Sequence, residues 1–441
     1  MASTYLTRNA GTPTSGQIMT ISLWAKRSST VEHGGLFSGQ TSNGRSFIKF
    51  TSGDNIEVRE NIGATQYFKL TTNAKYRDCN GWYHIVLTID TTQGTASDRL
   101  KLYVNGVQVT SFSTAAYPTQ NLILNGWNKS GMAQVVGNEY SYSYFFNGII
   151  SHIHFIDGTA YDPTSFGEYD ANGVWKIKTD VSVTYGTNGF LILKDGNSVT
   201  DQSGNSNNFT VGGGTLTKTE DNPSNVFATI NPLVRTVSTP SFNAGNNTVS
   251  SSAGAYQNHF STIGMTGSGK YYWEMKVNGT ANSAMFFGIS SDIEMNNLIT
   301  VSNVVGSTST GYSLVASSGN KYNNENSTSY GSALTNGEIM MGALDLDNGK
   351  IWYGKNGTWF NSGNPASGSN EAFSGISASN VYFVSGTVYD GGYGSVNYNF
   401  GNGYFETTAV ASAGTNASGN GIFEYDVPTG YTALSTKGLN L

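Results

Sequence analysis

Glu57 and Glu60, three residues apart in Asp54-Asn-Ile-Glu-Val-Arg-Glu60, are the chain's nearest approach to the carboxylate pair that cleaves a sugar bond. On a strand that odd spacing puts them on opposite faces, so they do not converge on one substrate and read as solvated surface charge. His152 and His154 share a face of Phe146-Asn-Gly-Ile-Ile-Ser-His-Ile-His-Phe-Ile156, as a metal pair would. No nearby Cys or carboxylate repeats the spacing, so they read as structural histidines. Asp195 with Asp201, and Asp345 with Asp347, offer oxygens to calcium. A hard cation needs six or more, so aspartates bonding their own backbone at strand ends are preferred, and no cofactor is expected. No Ser/His/Asp set has a nucleophile-elbow context, and the glycine pairs follow no strand-to-helix pattern, so phosphate loops are unsupported. The chain is expected not to be an enzyme.

Binding chemistry is better represented. The loops Ser318-Gly-Asn-Lys-Tyr-Asn-Asn-Glu-Asn326 and Thr387-Val-Tyr-Asp-Gly-Gly-Tyr-Gly394 present phenols, amides and a carboxylate on glycine-rich turns. Tyr322, Asn324, Tyr389, Asp390 and Tyr393 are the candidate ligand-binding set, because a ring covers the apolar face of a sugar and amides read its hydroxyls. The competing assignment packs Tyr322, Tyr389 and Tyr393 under their own loops or into a subunit interface. Trp82, Trp273 and Trp352 are assigned to cores.

The elements that must position these residues are strands. Charged residues are 12% of 441, aromatics another 12%, and there are 55 glycines, a composition of neutral polar surface and many turns that argues for all-β structure. The length suits two domains. A net charge of −6 without long charged runs disfavours nucleic acid and anionic membranes as partners. Cys79 is the single cysteine, so stability is left to packing. The N-terminus has no apolar run of signal-peptide length, and no stretch spans a bilayer. The expectation is synthesis in a host cytoplasm without membrane insertion.

In Gly269-Lys-Tyr-Tyr-Trp-Glu-Met-Lys-Val277, Tyr271, Trp273, Met275 and Val277 alternate onto a core face, and Lys270, Tyr272, Glu274 and Lys276 onto a wet one. Glu338 to Phe360 reads as a meander in which Asn348-Gly349 and Asn356-Gly357 supply the positive φ of two-residue turns. With Phe287-Gly-Ile-Ser290 and Val396-Asn-Tyr-Asn-Phe-Gly401, these motifs resemble the SPRY family, β-sandwiches that bind partners through loops at one end.

The first half has strands Ile18 to Lys26 and Trp82 to Asp90, then a Leu100 to Val109 hairpin turning at Asn105-Gly106. Trp24, Trp82, His84, Asn105, Gly106, Gly148 and Ile150 resemble the pattern of laminin-G-like, concanavalin-like jelly rolls. The expected fold is therefore all-β, with two antiparallel β-sandwiches in series. Their bounds are a jelly roll over 1–160, a connector of short strands over 161–240 punctuated by flexible Gly212 to Gly214, a SPRY-like sandwich over 241–405, and a C-terminal strand and extended tail over 406–441.

The linked halves, with His154-Phe-Ile-Asp-Gly158 and Asn231-Pro-Leu233 between them, resemble virion proteins of tailed bacteriophages. That resemblance implies a virion protein, in a tail fibre or on the capsid surface, whose partners are other virion proteins and host cell-surface glycans. An architectural capsid decoration or cement protein is the alternative, and a carbohydrate-active enzyme the second. Scarce charge on open strand edges leads us to expect a homo-oligomer.

Overall fold

A computed structural model describes residues 3–41, 44–139, 144–194, 196, 198–251, 254–279, 285–389 and 394–440. The chain forms two compact units, residues 1–218 and 219–441. Each is built of packed sheets with almost wholly antiparallel pairing, so the expected fold class holds. The segment 161–240 divides between the units, and 406–441 belongs to the second.

In the first unit, one sheet runs Phe112–Ala116, Thr65–Thr72, Ile56–Ile62, Gly44–Phe50, Gly34–Thr41, Ala133–Val136, Tyr5–Asn9, Thr210–Gly213. The facing sheet runs Phe190–Ile192, Gly148–Asp157, Ile18–Arg27, Tyr83–Asp90, Leu100–Val104, Val107–Gln108. Period-2 alternation sends Met19, Ile21, Leu23 and Ala25 of one strand and Ile85, Leu87 and Ile89 of its neighbour into the core between the sheets. The opposite face of the second sheet is covered too. Ile156 and Phe166, with Tyr161, Val181, Val183 and Tyr185, pack on Val86, so this part of the expected connector is a layer of the first unit.

Gly212 and Gly213 are not a flexible break. They lie in Thr210–Gly213, paired with Tyr5–Asn9, where a Cβ would sit 2.1 and 2.7 Å from the Tyr5 ring. Glycine is required there for a close approach rather than for mobility.

In the second unit, one sheet runs Ser241–Asn243, Thr248–Ser250, Ser395–Asn399, Lys270–Asn278, Ile339–Asp345, Lys350–Lys355, Thr358–Trp359. The other runs Gln257–Met265, Tyr382–Val388, Phe286–Ser291, Gly311–Val315, Lys321–Asn323, Asn326–Thr328. Tyr271, Trp273, Met275 and Val277 enter the core as their alternation requires. The face expected to be wet meets solvent only at Lys270 and Lys276. Tyr272 and Glu274 are fully buried, because the C-terminal segment lays Phe423, Val427, Tyr431 and Ala433 over Tyr272, Met341 and Trp352. Thr432–Ala433 pairs parallel to Tyr271 and Tyr272. Alternation reports that a strand has two faces, but what covers the second depends on chain 150 residues away.

The Asn356-Gly357 turn joins Lys355 to Thr358 with both residues at positive φ, 49° and 82°. Asn348-Gly349 differs, because Asp345 pairs with Lys350 and leaves a four-residue loop in which only Gly349 has positive φ. There the Asp345 carboxylate accepts from the Asn348 N–H (3.0 Å) and Nδ2 (2.9 Å), replacing turn geometry with a side-chain bond. A short helix, Asp292–Thr300, capped by Ser291 Oγ accepting from the Glu294 N–H, was not legible in the sequence.

Candidate functional site

Of the candidate binding set, Tyr322, Asn324 and Tyr389 are described, and Asp390 and Tyr393 lie outside the described residues. Tyr322 is in Lys321–Asn323, and Asn324 and Glu325, at φ 50° and 60°, form the two-residue turn to Asn326–Thr328. The Tyr322 ring meets Phe286 edge-on at 4.9 Å, on an apolar cluster of Phe260, Phe286, Leu298, Val304, Val305 and Val315. Tyr256 packs on the same cluster and lies 5.4 Å from the Tyr389 ring. Tyr322 and Tyr389 are thus related through Tyr256, which sequence reasoning missed for want of a motif around it. Both are half-buried, and Asn324 is exposed.

Glu57 and Glu60 do face opposite sides, but neither is solvated. Glu57 lies beside Lys69 at 3.2 Å. Glu60 points inward with Val58 and Ile56 and is fully buried. It belongs to a polar row crossing the inner face of the sheet, in which Arg8 pairs with Gln134, Gln134 with Gly39, Gly39 with Ser46 and Ser46 with Glu60. Burial pushes its carboxyl up to about 7, partly offset by the N–H groups of Asn125 and Gly126. Glu60 Oε2, Ser46 Oγ, Gln134 Oε1 and Trp127 Nε1 are buried without hydrogen-bond partners among the described residues.

A native carboxyl that binds its proton more tightly than the unfolded one stabilises fully below pH 4.5, and that stability is lost as pH rises through 7. The difference is worth about 3 kcal/mol. Glu60→Gln is therefore expected to stabilise the first unit at pH 8 by about 1–3 kcal/mol and to do little at pH 4.5, measured by urea unfolding. A loss of stability at pH 8 would contradict this account.

Other acids are held by backbone amides. Asp157 accepts from the N–H groups of Thr14 (2.6 Å), Ser15 (3.1 Å) and Asn188 (3.0 Å) and from Asn128 Nδ2 (2.7 Å), tying four chain segments together. Asp201 accepts from the N–H of Leu191, Ser203 and Asn207. Asp347 accepts from Gly269 N–H, and Asp345 also pairs with Lys270 at 2.9 Å. Asp195 lies outside the described residues. Among the described residues, no three His, Cys, Asp or Glu side chains gather to hold a metal.

The histidine pair is broken by a bulge. Ladder register shifts between Ser151 and His154, and His152 takes φ 48°. His154 Nδ1 bonds the Tyr185 hydroxyl at 2.9 Å. His84 stacks on Trp24 (centroids 4.5 Å apart), receives the Trp175 indole N–H on Nδ1 at 3.0 Å, and so donates Nε2–H to Ser22 Oγ at 2.8 Å. Trp175 also covers Gly106, where a Cβ would meet its ring at 2.5 Å. Burial lowers His84 and His154 to about 3, leaving both neutral, and pushes the Cys79 thiol up to about 11.

One open cleft, of about 360 Å³, is lined by Thr7, Arg8 and Asn9 with Ser206, Asn207 and Asn208. Sequence reasoning passed over it. The Asn205-Ser-Asn-Asn208 run is a visible clue, but nothing local places it beside a strand two hundred residues earlier.

The architecture defines a protein of two serial β-sandwich modules. Residues 1–162 match the Concanavalin A-like lectin/glucanases superfamily and residues 270–391 the SPRY domain, so the chain carries one module of each kind. Among solved structures it is similar to the SPRY domain of human HERC1, at 23% identity and TM-score 0.28, covering 34% of this chain and 87% of that one. It is similar to a human SPRY domain, at 15% identity and TM-score 0.27, covering 34% and 90%. It is also similar to the heptameric SAP-like pentraxin of Limulus polyphemus, at 15% identity and TM-score 0.26, covering 34% and 69%. No curated protein matches the chain.

Proposed function

We propose that this protein is a non-enzymatic structural component of a tailed-phage virion, displayed on the particle as a tail fibre or capsid-associated fibre, where it contacts host-surface glycans or neighbouring virion proteins. The observation that carries the binding role is the grouping of Tyr322 and Tyr389 about Tyr256 with the exposed Asn324 beside them, phenols and an amide suited to sugars. The buried acids Asp157, Asp201 and Glu274 instead hold backbone amides, which favours a structural over a catalytic use of them. The particle context rests on the resemblance of the linked sequence motifs to virion proteins of tailed bacteriophages. Many weak sites on one particle multiply effective affinity.

On immobilised oligosaccharides, Tyr322→Ala combined with Asn324→Ala is expected to weaken glycan binding about tenfold, one stacking contact and one hydrogen bond being worth about 1–2 kcal/mol together. The architectural reading draws support from Asn326–Thr328, a wholly exposed strand at the edge of its sheet and open to pairing with another copy or another virion protein. A wild-type protein that binds no glycan yet attaches to purified capsids would favour it.

A further inference from the structure

In the second unit, the apolar cluster beneath Tyr322 lies on the outer face of the six-stranded sheet. The helix Asp292–Thr300 and the segment 231–240 cover it, sending Met295, Leu298 and Val234 inward. The same elements leave apolar groups outside. Leu233 and Val237 are 42% and 58% exposed, and Ile293 and Val301 are 58% and 49% exposed. Among the described residues of the second unit five large apolar side chains are exposed, so four of the five gather on this face. A single exposed apolar group needs no explanation, whereas such a concentration marks a surface that another molecule covers. Exposure alternates along 231–240, with Leu233, Arg235 and Val237 outward and Val234 and Thr236 half-buried.

Two exposed charges, Arg235 and Glu325, bound the face, and neither forms an ion pair among the described residues. The other charges of its elements are spent or withdrawn: Glu294 is buried, Asp292 is half-buried, and Lys321 donates to the Ala372 carbonyl at 2.6 Å. Arg235 and Glu325 stand at opposite edges. The segment of Arg235 follows the edge strand Gln257–Met265, with Asn231 N–H donating to the Phe260 carbonyl at 2.7 Å and Gln257 Nε2 to the Thr239 carbonyl at 3.0 Å. Glu325 is in the turn between Lys321–Asn323 and Asn326–Thr328, at the other edge. Opposite charges at opposite edges suit an isologous pairing, in which residue i of one copy meets residue j of the other and j meets i. A two-fold axis along the strands sets each Arg235 against the partner's Glu325. With six strands across and a central strand six residues long, the face measures about 24 by 20 Å, so pairing covers about 1,000 Å² in all, the lower bound of a specific interface.

We propose that this face pairs two copies of the chain, with Leu233, Val237, Ile293 and Val301 at the apolar centre and Arg235 bonding the partner's Glu325 at two rims. The inference goes beyond the glycan-binding role proposed above. Tyr322 and Asn324 stand beside Glu325 at the solvated rim, and a failure to bind sugar would leave the pairing untouched. Sedimentation of the full chain over a concentration series is expected to show a reversible monomer–dimer equilibrium. Arg235→Glu and Glu325→Arg each set like charges opposite one another and are expected to weaken dimerisation at least about tenfold. The double variant restores opposite charges and is expected to dimerise as wild type does. Ile293→Asp, in the first turn of the helix where a carboxylate is favourable, is expected to abolish the dimer with the melting temperature of the dilute chain unchanged. A wild type that stays monomeric at every concentration would overturn the pairing. So would charge-reversed single variants that dimerise as wild type does, or a double variant no better than either single one.

Discussion

Glu274→Ala is expected to release the C-terminal segment and destabilise the second unit by at least about 3 kcal/mol. The carboxylate accepts from the N–H groups of Glu424 (2.9 Å) and Tyr425 (2.8 Å), the Tyr272 hydroxyl (3.0 Å) and Asn399 Nδ2 (3.2 Å). Burial pushes it up to about 7, while those four donors pull the other way. Alanine leaves three donors without an acceptor, Asn399 Nδ2 keeping its bond to the Ile422 carbonyl at 3.0 Å, and each of the three costs about 1–3 kcal/mol where water does not enter. That is a large part of a domain's stability of about 5–15 kcal/mol. Released, the segment uncovers Tyr272, Trp352 and Met341. Hydrogen exchange should show the amides of Glu424 and Tyr425 losing protection before the core strand Lys270–Asn278 does. Glu274→Gln, which keeps an acceptor oxygen but adds an N–H₂ group among donors, should fall between. Unchanged protection at Glu424 and Tyr425 in the alanine variant would refute the role assigned to this carboxylate.

Acid should unfold the first unit before the second, with most of the loss below pH 4.5. His84 and His154 in the first unit and His259 in the second are buried and lowered to about 3. The unfolded chain takes up protons near pH 6.5 that the folded one refuses, so each histidine's contribution is complete above 6.5 and is lost as pH falls toward 3. Two histidines lose about 2.7 kcal/mol per pH unit in the first unit, against about 1.4 for the single one in the second. Between pH 7 and 4.5 the raised carboxyls, Glu60 in the first unit and Glu274 in the second, gain stability as they bind protons in the folded state and offset part of this loss. Below 4.5 that compensation is exhausted. Lowered carboxylates add to the acid loss in both units: in the first, Asp54, where the Val31 N–H and the Arg77 and Arg27 guanidiniums outweigh burial, and in the second, Glu338 and Asp345, where backbone N–H groups, Asn348 and the Lys355 and Lys270 ammoniums outweigh it, so the histidines decide the difference between the units. Melting curves from pH 7.5 to 3, read separately for each unit by hydrogen exchange, should show the steeper slope in residues 1–218. Parallel slopes, or an acid-labile second unit, would mean that these histidines are not held neutral.

Much of the architecture was legible because strands announce themselves locally. Alternation in Ile18 to Lys26, Trp82 to Asp90 and Gly269 to Val277, with Asn-Gly turns at 105–106 and 356–357, follows from side-chain geometry within a few residues. The helix Asp292–Thr300 was illegible because only Glu294 and Leu298 of its residues are buried, too few to impose a period. Glu60 was misjudged because neighbouring residues define which face it occupies, not that Asn125 and Gly126 return to cover it.

Local order along the chain therefore settled the strands, the tight turns and the two-sandwich plan. Three matters were left to chain returning from far away: that 159–188 and 411–433 close over outer sheet faces, that Glu60, Glu274 and three histidines lie beyond the reach of water, and that Asn9 and Asn208 line one cleft. Burial is a property of what lies opposite a residue, and in sheets assembled from distant strands the opposite residue is rarely near in sequence.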